Sequence, residues 1–148
     1  MQTVALDDDD CEWIVIPDKV GDHDETLRLF DEWMKEFDIP AHKAAFVAQN
    51  GCSQSLVPWE DIGCLFIGGT DEFKDSVGAL NLAIEATNRG KWVHVGRVNT
   101  SVRLLHWFHL CDSIDGSGIS KYSHMLERMI GDLDDLEKYQ QTRLEEWA

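Results

Sequence analysis

A chain of 148 residues, 43% of them hydrophobic, is long enough for one domain with one sizeable core. Its longest apolar runs fall far short of the ~20 residues a membrane-spanning helix needs, which excludes that class. With 28 acidic against 13 basic residues the formal charge is −15, which argues against broad, non-specific binding to nucleic acid, because phosphate contacts need clustered Lys and Arg.

The first segment, 1–11, carries the run Asp7-Asp8-Asp9-Asp10 and reads as a solvated acidic extension. It has no basic region followed by an apolar stretch, so no secretory signal is expected and a cytoplasmic location is. One pattern then repeats five times: a short apolar run, small or polar residues, and an amphipathic helix. The runs are Trp13-Ile14-Val15-Ile16, Ala45-Phe46-Val47-Ala48, Leu65-Phe66-Ile67, Trp92-Val93-His94-Val95 and Ser113-Ile114. Their lack of alternation suits strands buried on both faces, as in parallel sheets.

Between the runs, helices are predicted from the spacing of apolar residues. Glu25 to Phe37 places Phe30, Trp33, Met34 and Phe37 on one stripe, with Asp22 or Asp24 as cap. Asp71 to Arg89 carries Phe73, Val77, Leu80 and Ile84, with Thr70 as N-cap and Gly90 at the C′ position. Asn99 or Thr100 opens a helix with Val102, Leu105 and Phe108. A last helical region, Lys121 to Trp147, carries Tyr122, Leu126, Met129, Leu133 and Leu136, with Gly131 as a point of division. Residues 12–131 thus form the folded unit and 132–148 an acidic C-terminal helix. None of the four cysteines, Cys11, Cys52, Cys64 and Cys111, sits in a C-x-x-C pair, so reduced, mostly buried thiols are expected.

Strands alternating with helices mean βαβ units and a parallel sheet in the α/β class. An open doubly wound sheet and part of a barrel both fit, and periodicity does not choose between them. In either, chemistry sits at the C-terminal ends of the strands. There the sequence reads Pro17-Asp18-Lys19, Gln49-Asn50-Gly51, Gly68-Gly69-Thr70, Gly96-Arg97-Val98-Asn99 and Asp112-Ser113-Ile114-Asp115-Gly116.

Each position has two readings. Asp18 caps a turn, or its carboxylate accepts two N–H bonds from the edge of a guanine-like base. Gln49 is a buried amide satisfied by backbone, or it reads a purine carbonyl or ring nitrogen, since an amide both donates and accepts. Gly68-Gly69 is an ordinary turn, or it brings free backbone N–H groups to a ligand. Arg97 contacts a phosphate or makes a surface ion pair of little weight. Asp115 forms a turn before Gly116, or attacks a sugar C1′, displaces a base and holds the sugar covalently. Asp22 reads as a cap, Asp112 precedes its strand, and His94 reads as a core histidine. His106 and His109 lack partners at metal-ligand spacing, and no metal site is expected.

As an ordered set, Val15-Ile16-Pro17-Asp18-Lys19-Val20-Gly21-Asp22, Phe46-Val47-Ala48-Gln49-Asn50-Gly51, Leu65-Phe66-Ile67-Gly68-Gly69-Thr70, Arg89 through Asn99 and Cys111-Asp112-Ser113-Ile114-Asp115-Gly116 resemble the tRNA-guanine transglycosylase family. They are similar above all to its short phage and genomic-island relatives, some of which place 7-deazaguanine bases in DNA. The resemblance spans about Glu12 to Ser120. It implies a (β/α)₈ TIM-type barrel of which these would be the fourth to eighth strands, its second half. It implies that Asp18 binds N1–H and the exocyclic amine of guanine, that Gln49 and the Gly68-Gly69 backbone bind the carbonyl side, and that Asp115 is the nucleophile. The implied reaction exchanges guanine for a deazaguanine in tRNA or DNA, without a cofactor; Gly96 and Arg97 complete the expected substrate site. The family's first three strands, which carry a further aspartate with an acid/base role, and its cysteine-rich zinc motif have no counterpart here.

Five parallel strands leave two open edges. A second chain or self-association would complete the barrel; a truncated remnant is the other reading. Lys19, Lys91, Arg97, Arg103 and Lys121 are the candidates for a local basic rim. Two further readings stand beside base exchange: an inactive module that binds a purine or a protein, and an unrelated barrel-derived enzyme acting on a small anionic metabolite at Gly69 and Arg97.

Overall fold

Five apolar runs pair as parallel strands in the computed structural model, which describes residues 11–116 together with positions 131, 134, 135, 137 and 138. They are β1 (Ile14–Val15), β2 (Ala44–Ala48), β3 (Cys64–Ile67), β4 (Trp92–Val95) and β5 (Ser113–Ile114). Their spatial order is β1-β2-β3-β4-β5, the order of the chain. A doubly wound sheet reverses direction at a switch point and sets non-consecutive strands side by side. Here every connection steps one strand onward in the same direction. The sheet is a curled, all-parallel arc compatible with half of a (β/α)₈ barrel.

Register divides the sheet into two faces. Val47, Phe66, His94 and Ser113 form one row across β2 to β5. The rows on either side, Phe46-Leu65-Val93 and Ala48-Ile67-Val95, point the other way and are fully buried. Each of these side chains other than Ala48 contributes about 1.5–3 kcal/mol relative to exposure. The helices cover that outer face. They are α1 (His23–Glu36), α2 (Asp71–Lys74), α3 (Val77–Asn88) and α4 (Ser101–Trp107). The expectation of strands buried on both faces holds for β2; in β1 and β4, Val15 and Trp92 on the inner face remain 47% and 37% exposed.

The caps follow the sequence closely. Asp22 accepts from Glu25 N–H at the start of α1, Thr70 accepts from Phe73 N–H at the start of α2, and Thr100 opens α4. Gly90 takes a positive φ just after α3. The buried faces differ from those expected. The single helix over Asp71–Arg89 is two helices, because the Ser76 side chain accepts from Ala79 N–H and starts a new one. The break changes the phase, so Ala79, Leu82, Ala83 and Ala86 face the sheet while Val77 is 70% exposed. These alanines let the α3 backbone pack against β3 and β4. In α4, Leu104 and Trp107 are buried, not Val102, Leu105 and Phe108. In α1, Phe30 is buried, whereas Trp33 lies outside against Phe37.

The four cysteines are free thiols; Cys64 is buried and the others are half-buried. Positions 131, 134, 135, 137 and 138 are helical. The rest of the helix expected over 121–147, Lys121 and the acidic run at 7–10 lie outside the described residues. Among the described residues no helix is long and apolar enough to cross a membrane.

Candidate functional site

A cleft of about 310 Å³ opens at the C-terminal ends of the strands, at the lower end of the range for small-molecule sites. Asp18, Gln49, Gly68 and Gly69 line one side of it, and Gly96, Arg97 and Asp115 the other. All seven positions singled out in the sequence therefore meet around one space. Val15, Val47 and Phe66 form its apolar wall, and Lys74 completes it.

The β1–β2 side is built on Gln49, which is 1% exposed. Its Oε1 accepts from Gly21 N–H at 2.8 Å, and its Nε2 donates to Asp18 Oδ2 at 2.5 Å. The amide is thus partly satisfied by backbone and at the same time holds a cleft carboxylate, with its second N–H remaining as a donor. Burial pushes the Asp18 carboxyl above its usual value; its own backbone N–H, the Arg97 charge and the Gln49 bond oppose this without cancelling it.

In the next loop Gly68 N–H extends the ladder to Ala48 O. Asn50 brackets Thr70, its Oδ1 accepting from Thr70 N–H and its Nδ2 donating to Thr70 Oγ1. Gly69 between them has a φ of 79°, the left-handed region that glycine enters without cost. Its N–H has no acceptor among the described residues.

On the β4–β5 side both oxygens of Asp115 are held. Oδ1 accepts from Arg97 N–H at 3.0 Å, and Oδ2 lies 2.8 Å from His94 Nε2. Arg97 reaches this position with a φ of 57°, a left-handed conformation that costs a non-glycine residue about 1–2 kcal/mol. His94 Nδ1 lies 2.7 Å from Ser113 Oγ, and Trp92 Nε1–H donates to that same oxygen. The indole N–H donates to the Ser113 hydroxyl, which can still accept from or donate to Nδ1. The ionised carboxylate of Asp115 can only accept, so Nε2 carries the proton of that bond. Burial pushes the Asp115 carboxyl up, but the bonds from His94 and Arg97, with the charges of His94 and Lys74, outweigh it and hold it below its usual value. Two carboxyls in one cleft, shifted in opposite directions, is a pattern that separates a protonatable group from an ionised one.

Two residues of the site were not anticipated. His94 is not a core histidine but the partner of Asp115, its ring tilted against Phe66 with centroids 4.5 Å apart. Lys74 is 1% exposed, with Nζ donating to Gly96 O at 3.1 Å. Burial pushes its amine down; Asp71 holds it up in part, and the charges of Arg103 and Arg97 lower it further. A lysine is ordinarily read as a solvated side chain. The available signal was that Thr70, Phe73 and Lys74 are spaced i, i+3, i+4 and so share one helix face. For His94 the signal was the alternation of Trp92 and His94 with Val93 and Val95.

The basic rim is smaller than expected. Lys91 precedes β4, at the end of the sheet away from the cleft. Arg103 is tied to Asp75 by two hydrogen bonds and to Asp71 at 3.4 Å. Asp112 accepts from Val93 N–H and serves the strand pairing. Among the described residues no cluster of three His, Cys, Asp or Glu side chains is arranged to hold a metal ion. No protein-family model, curated protein or solved structure matches the chain.

Proposed function

We propose that the chain is the base-exchange unit of a tRNA-guanine transglycosylase-like (β/α)₈ barrel, its five strands corresponding to the second half. The observation that carries this reading is the meeting of Asp18, Gln49, Gly69 and Asp115 around one base-sized cleft. A guanine or 7-deazaguanine base enters with N1–H and its exocyclic amine donating to Asp18. Its carbonyl accepts from the second N–H of Gln49 and from Gly69 N–H, and its flat faces lie against Phe66 and Val47.

Asp115 then faces the sugar. Its carboxylate attacks C1′, the C1′–N9 bond breaks with its electron pair leaving on the base, and the sugar remains esterified to the enzyme. A second base attacks C1′ and releases Asp115, so the sugar configuration is retained. The bonds from His94 and Arg97 N–H fix the carboxylate while leaving each oxygen a lone pair. Arg97, exposed at the rim, meets a phosphate of the tRNA or DNA. Among the described residues nothing pairs with the outer sides of β1 and β5, where a second chain or another copy would extend the sheet.

The test pairs binding with turnover. Calorimetry should show guanine binding and no adenine binding, because adenine presents an amine where Gln49 and Gly69 donate. Labelled guanine should enter tRNA or DNA with the wild type and not with Asp115→Asn. Binding without incorporation favours a purine-binding module; thermal stabilisation by phosphate, with no response to purines, favours an enzyme of small anionic metabolites.

A further inference from the structure

Base exchange moves a proton as well as a sugar. The departing base carries the electron pair of the broken bond, and the incoming base must lose its N9 proton before it can attack. Rested on the base-exchange reading, the question is which group of this chain handles that proton. Asp18 is held by Gln49 on the β1–β2 side. Both ring nitrogens of His94 are taken, by Ser113 and by Asp115.

Lys74 is placed otherwise. Among the described residues its Nζ makes one hydrogen bond, to Gly96 O, and has one carboxylate within 4 Å, that of Asp71 at 3.7 Å, whose side chain is 74% exposed. An ammonium has three N–H donors, and a buried charge is costly unless it is fully paired. Lys74 lines the same cleft as Gly96 and Asp115. The carbonyl that Lys74 holds belongs to Gly96, and a side chain built on Gly96 would stand 3.7 Å from Asp115 Oδ2.

We propose that Lys74 is the catalytic acid and base of the exchange. As Asp115 attacks C1′ and the C1′–N9 bond breaks, the Lys74 ammonium gives its proton to the departing base, which leaves neutral, and Lys74 is left as an amine. The amine then takes the N9 proton of the incoming base. That base attacks C1′, the Asp115 carboxylate is released, and the ammonium is restored. Burial and the neighbouring cations push the Lys74 amine down, the direction that proton transfer near neutral pH requires.

The test measures formation of the covalent enzyme–nucleic acid adduct on denaturing gels. It uses the full chain and two substrates, one with guanine and one with 7-methylguanine at the exchanged position. The second base already carries a positive charge on its ring and departs neutral without a proton. Lys74→Met should slow adduct formation from guanine by about 10²–10⁴-fold and from 7-methylguanine by little. Lys74→Gln, whose packing differs, should show the same split, and thermal unfolding confirms that both variants fold. Equal losses on the two substrates, or no loss on either, would overturn the role of Lys74 and leave base exchange standing. Absence of any wild-type adduct with both substrates would overturn base exchange and this inference with it.

Discussion

His94 Nε2 stands 2.8 Å from Asp115 Oδ2, at the end of a hydrogen-bonded chain that starts at Trp92 and passes through Ser113. The ionised carboxylate can only accept, so the imidazole delivers an N–H to it and fixes its orientation. His94→Phe preserves a ring against Phe66 and removes that bond. Base exchange should then fall by about 10²-fold, the scale of a misplaced reacting group. Guanine affinity should stay within about twofold, because the ring acts on Asp115 and not on the base-reading edge. Single-turnover kinetics beside calorimetry separate the two effects.

The opposite shifts of Asp18 and Asp115 make binding and stability respond differently to pH. Asp18 must be ionised to accept the two N–H bonds of the base, and its carboxyl is raised above 3.8. On acidification guanine affinity should therefore decline at a higher pH than an ordinary aspartate would give, by about tenfold per pH unit once Asp18 is protonated. Asp115, lowered from 3.8, stays ionised through that range. Calorimetric titrations across the acid range give the profile.

For stability the signs are opposite. A carboxyl raised in the folded state stabilises below its unfolded value and loses that contribution as pH rises through the folded value. A lowered one stabilises above its unfolded value and loses this as pH falls through the folded value. At pH 7 Asp18→Asn should therefore raise the melting temperature and Asp115→Asn should lower it. Thermal unfolding of the two variants in one buffer checks both directions.

Much of this site was legible because the residues following parallel strands all emerge on one rim. Once β1 to β5 were read as strands, the convergence of Asp18, Gln49, Gly69 and Asp115 followed from topology. The helix faces were less legible. Leu80 and Ile84 looked like the inward stripe of one long helix, but the side chain of Ser76 restarts the helix, and small alanines take the buried positions. Lys74 escaped notice because hydropathy assigns a lysine to water, and only the three-dimensional closeness of Gly96 O explains its burial. Residue type alone likewise could not tell a structural Gln49 from a ligand-reading one; the fold makes it serve Asp18 while keeping one donor in reserve.

Gly96 is held by sterics. A Cβ there would lie 2.5 Å from Phe66 Cε1. Gly96→Ala should cost about 1–3 kcal/mol, the usual range for overpacking, and should press Phe66 into the space of the base. Chemical denaturation should show the loss of stability and calorimetry a weaker guanine signal. Phe66→Leu in the same chain should recover part of the stability.

Arg97 stores backbone strain at its positive φ. Arg97→Gly should cost no stability and gain up to about 1 kcal/mol, while Arg97→Ala keeps the strain and should be the less stable of the two. Both should weaken binding to nucleic acid and flatten its salt dependence by about one counterion. Denaturant midpoints and salt-dependent binding isotherms test the pair.

The central claim is that the Asp115 carboxylate carries the sugar during exchange. The most direct measurement is to trap the adduct formed by wild type with a guanine-containing nucleic acid, digest it, and locate the modified residue by mass spectrometry. A sugar on the peptide containing Asp115, absent in Asp115→Asn, is the predicted result. A sugar on another residue, or an adduct formed by Asp115→Asn at the wild-type rate, would contradict the account.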